Sequence, residues 1–459
     1  MNKVYRGRLV VAGLSSGSGK TTVAMSVMNI LRRKGIPVAP FKVGPDFLDT
    51  KYHQVAAGAQ STNIDGFMTN ARYVTETVAA SEARGMLSVV EGMMGLFDGV
   101  RATGDFSSTA WIARLLSAPV ILCMDVSATM RTAAYTALGL KRISESFGIE
   151  IAGVILNKVG GMAHFDGCRS AFLNAGIDVL GGLPYSASFS IPEIHLGLKV
   201  PANMRRIRAQ IDAMSDELAD TFDLKKLLLI AGSAPELRTA RSSPAVKPVV
   251  KIGVASDPAF NFYYADNINL LKSAGAAICN FSPLQDSSLD EFDGLYIGGG
   301  YPELYVPEIT GNGRMLNSLK EKAESGMPIY AECGGFMLLC RDIKIGRTKH
   351  RMAGIFDATV EMASSPVIGY RKIRTLSETP LGPPKTTSRG HEFHYARIVD
   401  GGSGKNDAPF EVLAGKGDKW SNKGYVFHGT VGSFIHIHFG SNRQLAKNFV
   451  GACLEYSRS

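Results

Sequence analysis

The stretch Gly13-Leu14-Ser15-Ser16-Gly17-Ser18-Gly19-Lys20-Thr21-Thr22 directly follows the apolar run Leu9 to Ala12, and it constrains the fold of this chain more than any other segment. A strand that ends in a glycine-rich turn and reopens as a helix aims successive backbone N–H groups and a helix N-terminus at one point, which is how backbone holds phosphate oxygens. In that geometry Ser15, Ser16, Gly17, Ser18, Gly19, Lys20, Thr21 and Thr22 line a nucleotide's phosphates, Lys20 reaches the terminal ones and Thr21 offers a hydroxyl to magnesium. The standard spacing wants glycine at position 14, where Leu14 stands; the first glycine is Gly13, so the loop is a longer variant. A glycine-rich turn with only a structural role is the competing reading, and Gly-Lys-Thr-Thr wedged between strand and helix disfavours it.

The surrounding pattern extends that strand into a sheet. Apolar runs at Leu9 to Ala12, Pro37 to Val43, Leu87 to Val90, Val120 to Met124, Ile151 to Leu156 and Val179 to Leu183 alternate with helix-like stretches. Such βαβ alternation predicts a doubly wound parallel sheet with helices on both faces. A charged helical stretch from about Arg205 to Ile230 closes a domain of residues 1–230, and 231–249, rich in Gly, Ser, Ala and Pro, reads as a linker. A second α/β series fills 250–459, through Lys251 to Ala255, Gly294 to Ile297, Pro328 to Tyr330 and Phe434 to Ile437. At 459 residues, two domains with separate cores are expected.

Composition removes several function classes. No apolar run approaches the roughly 20 residues that span a bilayer, so no membrane partner is expected. The formal charge of +9 comes from Lys and Arg spread along the chain without a dense basic run, so nucleic acid is not expected either. Attraction of a polyanionic small substrate is the simpler use of that charge. Six cysteines without CxxC spacing resemble reduced thiols and point to a cytoplasmic setting.

Magnesium beside a phosphate loop needs an acid at the end of a neighbouring strand, and Glu91, closing Leu87-Ser88-Val89-Val90, is placed for it. Asp46 and Asp49 in Gly44-Pro45-Asp46-Phe47-Leu48-Asp49, and Asp98 in Gly95-Leu96-Phe97-Asp98-Gly99, follow strands where ligand loops belong. Each could instead form an Asx turn or a helix cap. Asn157, after Ile151 to Leu156, could face a nucleotide base or cap a helix.

The second series carries different chemistry. Cys333, in Ala331-Glu332-Cys333-Gly334-Gly335, sits at a strand-to-helix turn, where the N–H of Gly334 can help hold an oxyanion and a histidine from elsewhere lowers the thiol pKa. Gly299 and Gly300, after Leu295 to Ile297, offer further N–H groups for the hole. His436 and His438, on one face of a strand, are the base candidates; a structural metal pair is the alternative, with no third ligand at metal spacing. His391 and His394, in Gly390-His391-Glu392-Phe393-His394, fit either a pocket or satisfied core groups.

With these residues in place, the chain resembles the cobyrinate a,c-diamide synthases over nearly its whole length. The resemblance rests on the phosphate loop, Lys42-Val43-Gly44-Pro45-Asp46, Val90 to Gly99, Ala259-Phe260-Asn261-Phe262-Tyr263-Tyr264, Gly298-Gly299-Gly300-Tyr301-Pro302-Glu303 and Ala331 to Gly335. It implies a dethiobiotin-synthetase-like first domain and a class I glutaminase-like second domain. The implied reaction is ATP-dependent phosphorylation of the a- and c-carboxylates of cobyrinate, or of a related macrocyclic polycarboxylate, followed by amidation with ammonia from glutamine. By the same resemblance Thr21, Asp46 and Glu91 hold magnesium and Asp49 and Asp98 shape the acceptor site. Cys333 forms the glutamyl thioester and His436 activates it. The class I triad has an acid two residues after its histidine, where this chain has His438, so the third, orienting residue is left open. The domains are expected to pack closely or to close on substrate, since water and protonation threaten the intermediates. A homodimer is a candidate assembly.

Nickel-sirohydrochlorin and hydrogenobyrinate are alternative acceptors for the same chemistry. From other classes, a partition-type ATPase switch shares such phosphate loops but has no use for Cys333, and a non-catalytic glutamine or nucleotide sensor would bind without forming an amide.

Overall fold

The computed structural model describes residues 6–186, 204–238, 246–401, 408–414 and 424–459. The centre of the expected linker, 239–245, lies outside them. The chain divides into two compact units, Met1–Ser242 and Ser243–Ser459.

In the first unit the order is β1 (Arg8–Gly13), α1 (Lys20–Arg33), β2 (Val38–Val43), α2 (Phe47–Ala57), β3 (Thr62–Ile64), α3 (Ala71–Ala83), β4 (Leu87–Glu91), α4 (Thr109–Leu116) and β5 (Val120–Asp125). It continues with α5 (Arg131–Ser146), β6 (Ile151–Val159), α6 (Met162–Asn174), β7 (Val179–Pro184), α7 (Met204–Ala219) and α8 (Leu224–Gly232). The strands pair in the order β3-β2-β4-β1-β5-β6-β7, all parallel. Strand side chains alternate between faces, so β1 feeds two cores. Val10 and Ala12 join Val74, Ile112 and Ala134 from α3, α4 and α5, while Leu9 and Val11 join Val27, Ala56 and Leu227 from α1, α2 and α8. Burial on both faces is why these strands read as unbroken apolar runs. The carboxyl ends of β1, β2, β4 and β6 deliver the phosphate loop, Asp46, Glu91 and Asn157 to one rim. The expected helical stretch from Arg205 consists of two helices: Asp223 accepts the N–H of Lys226 and starts α8 as a separate element.

The second unit runs β8 (Val250–Ala255), β9 (Phe260–Phe262), α9 (Ala265–Ser273), β10 (Ala276–Phe281), β11 (Gly294–Ile297), β12 (Gly299–Gly300), α10 (Val306–Gly311), α11 (Gly313–Glu324), β13 (Ile329–Glu332) and α12 (Gly334–Leu339). It goes on with β14 (Cys340–Ile345), β15 (Thr348–Arg351), β16 (Phe356–Thr375), β17 (Thr387–Gly401), β18 (Phe410–Ala414), β19 (Tyr425–Phe427), β20 (Thr430–Ser433), β21 (His436–Ile437) and α13 (Gln444–Tyr456). One sheet, β10-β8-β11-β13-β20-β19, is parallel except at its β19 edge. A second, β15-β14-β16-β17-β21, is mainly antiparallel and is built on the long β16–β17 pair.

The expected strand Phe434 to Ile437 is corrected by these pairings. After β20 the chain leaves the parallel sheet, and His436 and Ile437 pair with His391 and Gly390 of β17 in the other one. His438 stands at the start of a 3-10 turn, Phe439–Ser441, so the two histidines do not share the face of one strand. The run Phe434 to Phe439 is buried throughout, which hides the change of sheet from any alternation test.

Candidate active sites

In the first unit the loop between β1 and α1 is exposed at Ser15, Ser16 and Gly17, while Ser18 and Lys20 are buried at its base. Ser15 O accepts hydrogen bonds from Ser18 Oγ at 3.0 Å and Lys20 Nζ at 2.7 Å, which folds the lysine across the loop. Thr22 O accepts from Ser26 Oγ inside α1. Gly19 is left-handed at φ 92°, and a Cβ there would lie 1.9 Å from Asn157 Nδ2. Asn157 itself donates to Ser18 O at 3.0 Å, so its amide braces the loop from below.

Behind the loop lies a buried charge cluster. Glu91 Oε1 accepts from Thr21 Oγ1 at 2.6 Å and from Lys42 Nζ at 2.7 Å, and Glu91 Oε2 meets His53 Nε2 at 2.5 Å. His53 Nδ1 continues to Ser61 Oγ at 3.2 Å. Lys42 also pairs with Asp49 Oδ2 at 2.6 Å. Burial acts against charge on Lys42, but Asp49 and Glu91 outweigh it and hold the ammonium above its usual range. Burial would likewise raise Glu91, but Lys42 and His53 win and hold it below the carboxylate range. Asp49 is pushed up to about 7 by burial and by the charge of Asp46, against the pull of Lys42. One lysine shared among three carboxylates leaves one of them inclined to keep a proton.

Asp46 caps α2, with Oδ1 accepting from the N–H groups of Leu48 and Asp49 at 2.7 and 3.0 Å. Asp98 closes its own loop, Oδ2 accepting from Gly95 N–H at 2.9 Å, and Leu96 N–H reaches back to Gly13 O beside the phosphate loop. Thr21 and Glu91 present hard oxygen donors at the foot of the loop, a set that fits magnesium. Lys42 and His53 carried no role in the sequence reading. The available signal was a lysine inside a strand that is otherwise wholly apolar.

In the second unit Cys333 is the turn between β13 and α12, with φ 49° and ψ −104°, a strained conformation for a side-chain-bearing residue. Its N–H donates to Ser433 O at 2.8 Å, tying the elbow to β20. A Cβ on Gly335 would fall 2.2 Å from Ile297 O, so only glycine lets α12 start this close to β11. The same crowding brings Gly334 against Gly300: a Cβ on Gly334 would lie 3.0 Å from Gly300 N. A Cβ on Gly299 would meet His436 Cε1 at 2.5 Å and Nε2 at 3.2 Å, which puts the imidazole over the glycine corner. Cys333, Gly299, Gly300, Gly334 and His436 are thus gathered at one end of the parallel sheet.

The expectation of a depressed thiol pKa is not met. Burial pushes the Cys333 thiol up, and the charge of Glu303 adds to it. A buried thiol among carboxylates stays protonated until a base takes its proton. His438 Nδ1 accepts Gly440 N–H at 3.0 Å, its ring lies 4.7 Å from that of Tyr264, and burial lowers its pKa to about 3. His391 stacks on His436 with centroids 5.0 Å apart and meets the hydroxyl of Tyr264 at 2.6 Å. His394 stacks on Phe434 and meets Ala396 O through Nδ1 at 2.9 Å.

Together, a phosphate loop on a doubly wound sheet and a thiol elbow beside a histidine define a glutamine-dependent amidotransferase of the ligase class. Residues 9–196 match the family described as the CobQ/CobB/MinD/ParA nucleotide binding domain, and residues 251–444 the CobB/CobQ-like glutamine amidotransferase domain. The chain is 36% identical to the cobyrinate a,c-diamide synthase of Listeria innocua over 97% of its own length and 99% of the relative's. It is 37% identical to the enzyme of the same name from Dehalococcoides mccartyi, over 96% and 97%, and 37% identical to that of Picrophilus torridus, over 97% and 98%. This chain belongs to the cobyrinate a,c-diamide synthase family. Among the described residues no helix is long and apolar enough to cross a membrane.

Proposed function

We propose that the protein converts the a- and c-carboxylates of cobyrinate to amides in cobalamin biosynthesis, with ATP as activator and glutamine as nitrogen donor. The observation that carries this reading is identity along nearly the full length to enzymes named for that product.

A carboxylate is a poor electrophile until one of its oxygens becomes a leaving group. In the first unit a substrate carboxylate oxygen attacks the γ-phosphorus of ATP, ADP departs, and an acyl phosphate forms. The loop N–H groups and Lys20 bind the phosphates, and Thr21 and Glu91, with Asp46 at the loop edge, would hold magnesium. When bound, that ion offsets charge on the phosphate oxygens. Lys42 and His53 fix the Glu91 carboxylate, while Asp49 and Asp98 border the acceptor. Ammonia then attacks the acyl carbon, loses a proton, and phosphate leaves.

In the second unit His436 takes the thiol proton as Sγ of Cys333 attacks the carboxamide carbon of glutamine. The resulting oxyanion faces the N–H groups of the Gly299, Gly300 and Gly334 corner. His436 returns the proton to the leaving nitrogen, ammonia is released, and water hydrolyses the glutamyl thioester to glutamate. His438, held neutral as a cap, is assigned to structure, and Asn157 to support of the phosphate loop. Cys333→Ala tests the division of roles. Glutamine-driven amidation should vanish while amidation with added ammonium salt persists, and loss of both activities would contradict it.

A further inference from the structure

The triad of this glutaminase lacks an acid two residues after its histidine, because His438 stands there as a neutral cap. We infer that Glu332, the residue immediately before the nucleophile, supplies the missing carboxylate and orients His436. The inference rests on the assignment of Cys333 as nucleophile and His436 as base.

Glu332 ends β13 fully buried, and its two oxygens have defined neighbours. Oε1 accepts from the hydroxyl of Tyr330 and, at 2.9 Å, from the N–H of Ile437. Oε2 accepts from the hydroxyl of Tyr296 at 3.0 Å and faces His436 Nδ1 at 3.5 Å. The Ile437 bond anchors the backbone next to His436, so one carboxylate sets both the position of the short β21 and the direction of the ring. With Nδ1 turned to Glu332, Nε2 is the nitrogen left toward Gly299 and the thiol corner. A slight rotation closes 3.5 Å to a hydrogen bond, and such contacts commonly tighten only when substrate is bound. A carboxylate at Nδ1 fixes the tautomer whose Nε2 accepts a proton, and it stabilises the imidazolium once the thiol proton has moved. The flat stack of His391 on the same ring leaves His436 little freedom to turn elsewhere.

Two buried tyrosines donating to Glu332 would be an odd arrangement for a packing residue, since a buried carboxylate is costly where an apolar residue of similar size would serve. Their hydroxyls instead hold a charge in place beside a ring that must become cationic. Glu332 is therefore a positioning residue, and it acts on the glutaminase half of the reaction alone.

The test measures glutamine hydrolysis and covalent labelling of Cys333 by a glutamine-like diazo ketone, in the full chain, for wild type and Glu332→Gln. Labelling of the wild-type protein at Cys333 is required by the parent assignment, so its failure would defeat that assignment and not this inference alone. Given labelling, Glu332→Gln should lower kcat by roughly 10²-fold or more with the KM for glutamine within a few-fold. Labelling should slow, and ammonia-driven amidation should be kept. Glu332→Asp keeps a carboxylate on a shorter stem, so it should recover part of the kcat and labelling rate that Glu332→Gln loses. Tyr296→Phe removes a donor that holds Glu332 Oε2, so it should lower kcat several-fold with the KM for glutamine within a few-fold, and it answers the question if Glu332→Gln does not fold. Unchanged kcat and labelling in Glu332→Gln or, where that variant does not fold, in Tyr296→Phe would overturn the inference.

Discussion

At the scale of single residues, buried polar groups decide both sites. Lys42 helps keep Glu91 charged inside the first unit, so Lys42→Met should leave that buried carboxylate with His53 and Thr21 as its partners and cost about 3–5 kcal/mol of stability in urea denaturation. Adding Glu91→Gln to that variant should recover much of the loss, since the buried charge is gone. Gly19→Ala would force a left-handed alanine whose Cβ overlaps the Asn157 amide. Nucleotide affinity, measured calorimetrically, should fall at least tenfold, and Asn157→Ala in the same chain should restore part of it by removing the clash but not the backbone strain. His438 gives a pH prediction. Its folded pKa, lowered to about 3, lies below the ordinary value of 6.5, so the unfolded chain binds an extra proton between the two. The stability it contributes is present above pH 6.5 and is lost as pH falls through that window, at up to about 1.4 kcal/mol per pH unit. His438→Asn keeps an acceptor for Gly440 N–H and cannot titrate, so its stability should fall less steeply than that of wild type over the same range.

Among elements, the elbow between β13 and α12 shows how local strain serves chemistry. Cys333 sits at φ 49° because its thiol must project from a tight turn, and any side-chain-bearing residue there is strained. Cys333→Gly should therefore be more stable than Cys333→Ala by about 1 kcal/mol, a reversal of the usual order for the two residues, read from paired thermal melts. The elements most legible in the sequence were those with both faces buried and a glycine-rich turn at one end: β1, β4, β11 and β13 fall within a residue or two of their apolar runs. The antiparallel sheet of β14 to β18 was not read at all. Its strands carry charged residues at buried as well as exposed positions, Arg371 and Glu392 forming a buried pair, and their long pairing is fixed by contacts remote in sequence. The turns that hold Ser15, Asp46, Asp98 and Cys333 were legible because glycine and proline mark the strand ends beside them. Glu332 and Lys42 were quoted within motifs without a role, because a hydrogen-bond partner that arrives from another strand leaves no trace in local spacing.

For the molecule as a whole, the proposed function has two α/β units divide one reaction, with phosphate chemistry on the first and thiol chemistry on the second. Neither site accounts for the other, and a partition-type switch would explain only the first. The central claim is that both serve the amidation of one macrocycle. The most direct test is mass spectrometry of the full chain supplied with ATP, magnesium and glutamine, offering cobyrinate and nickel-sirohydrochlorin in parallel. Two successive amidations of cobyrinate, both lost without ATP, are predicted; glutamine hydrolysis with no amidated cobyrinate, or amidation of nickel-sirohydrochlorin alone, would contradict the account.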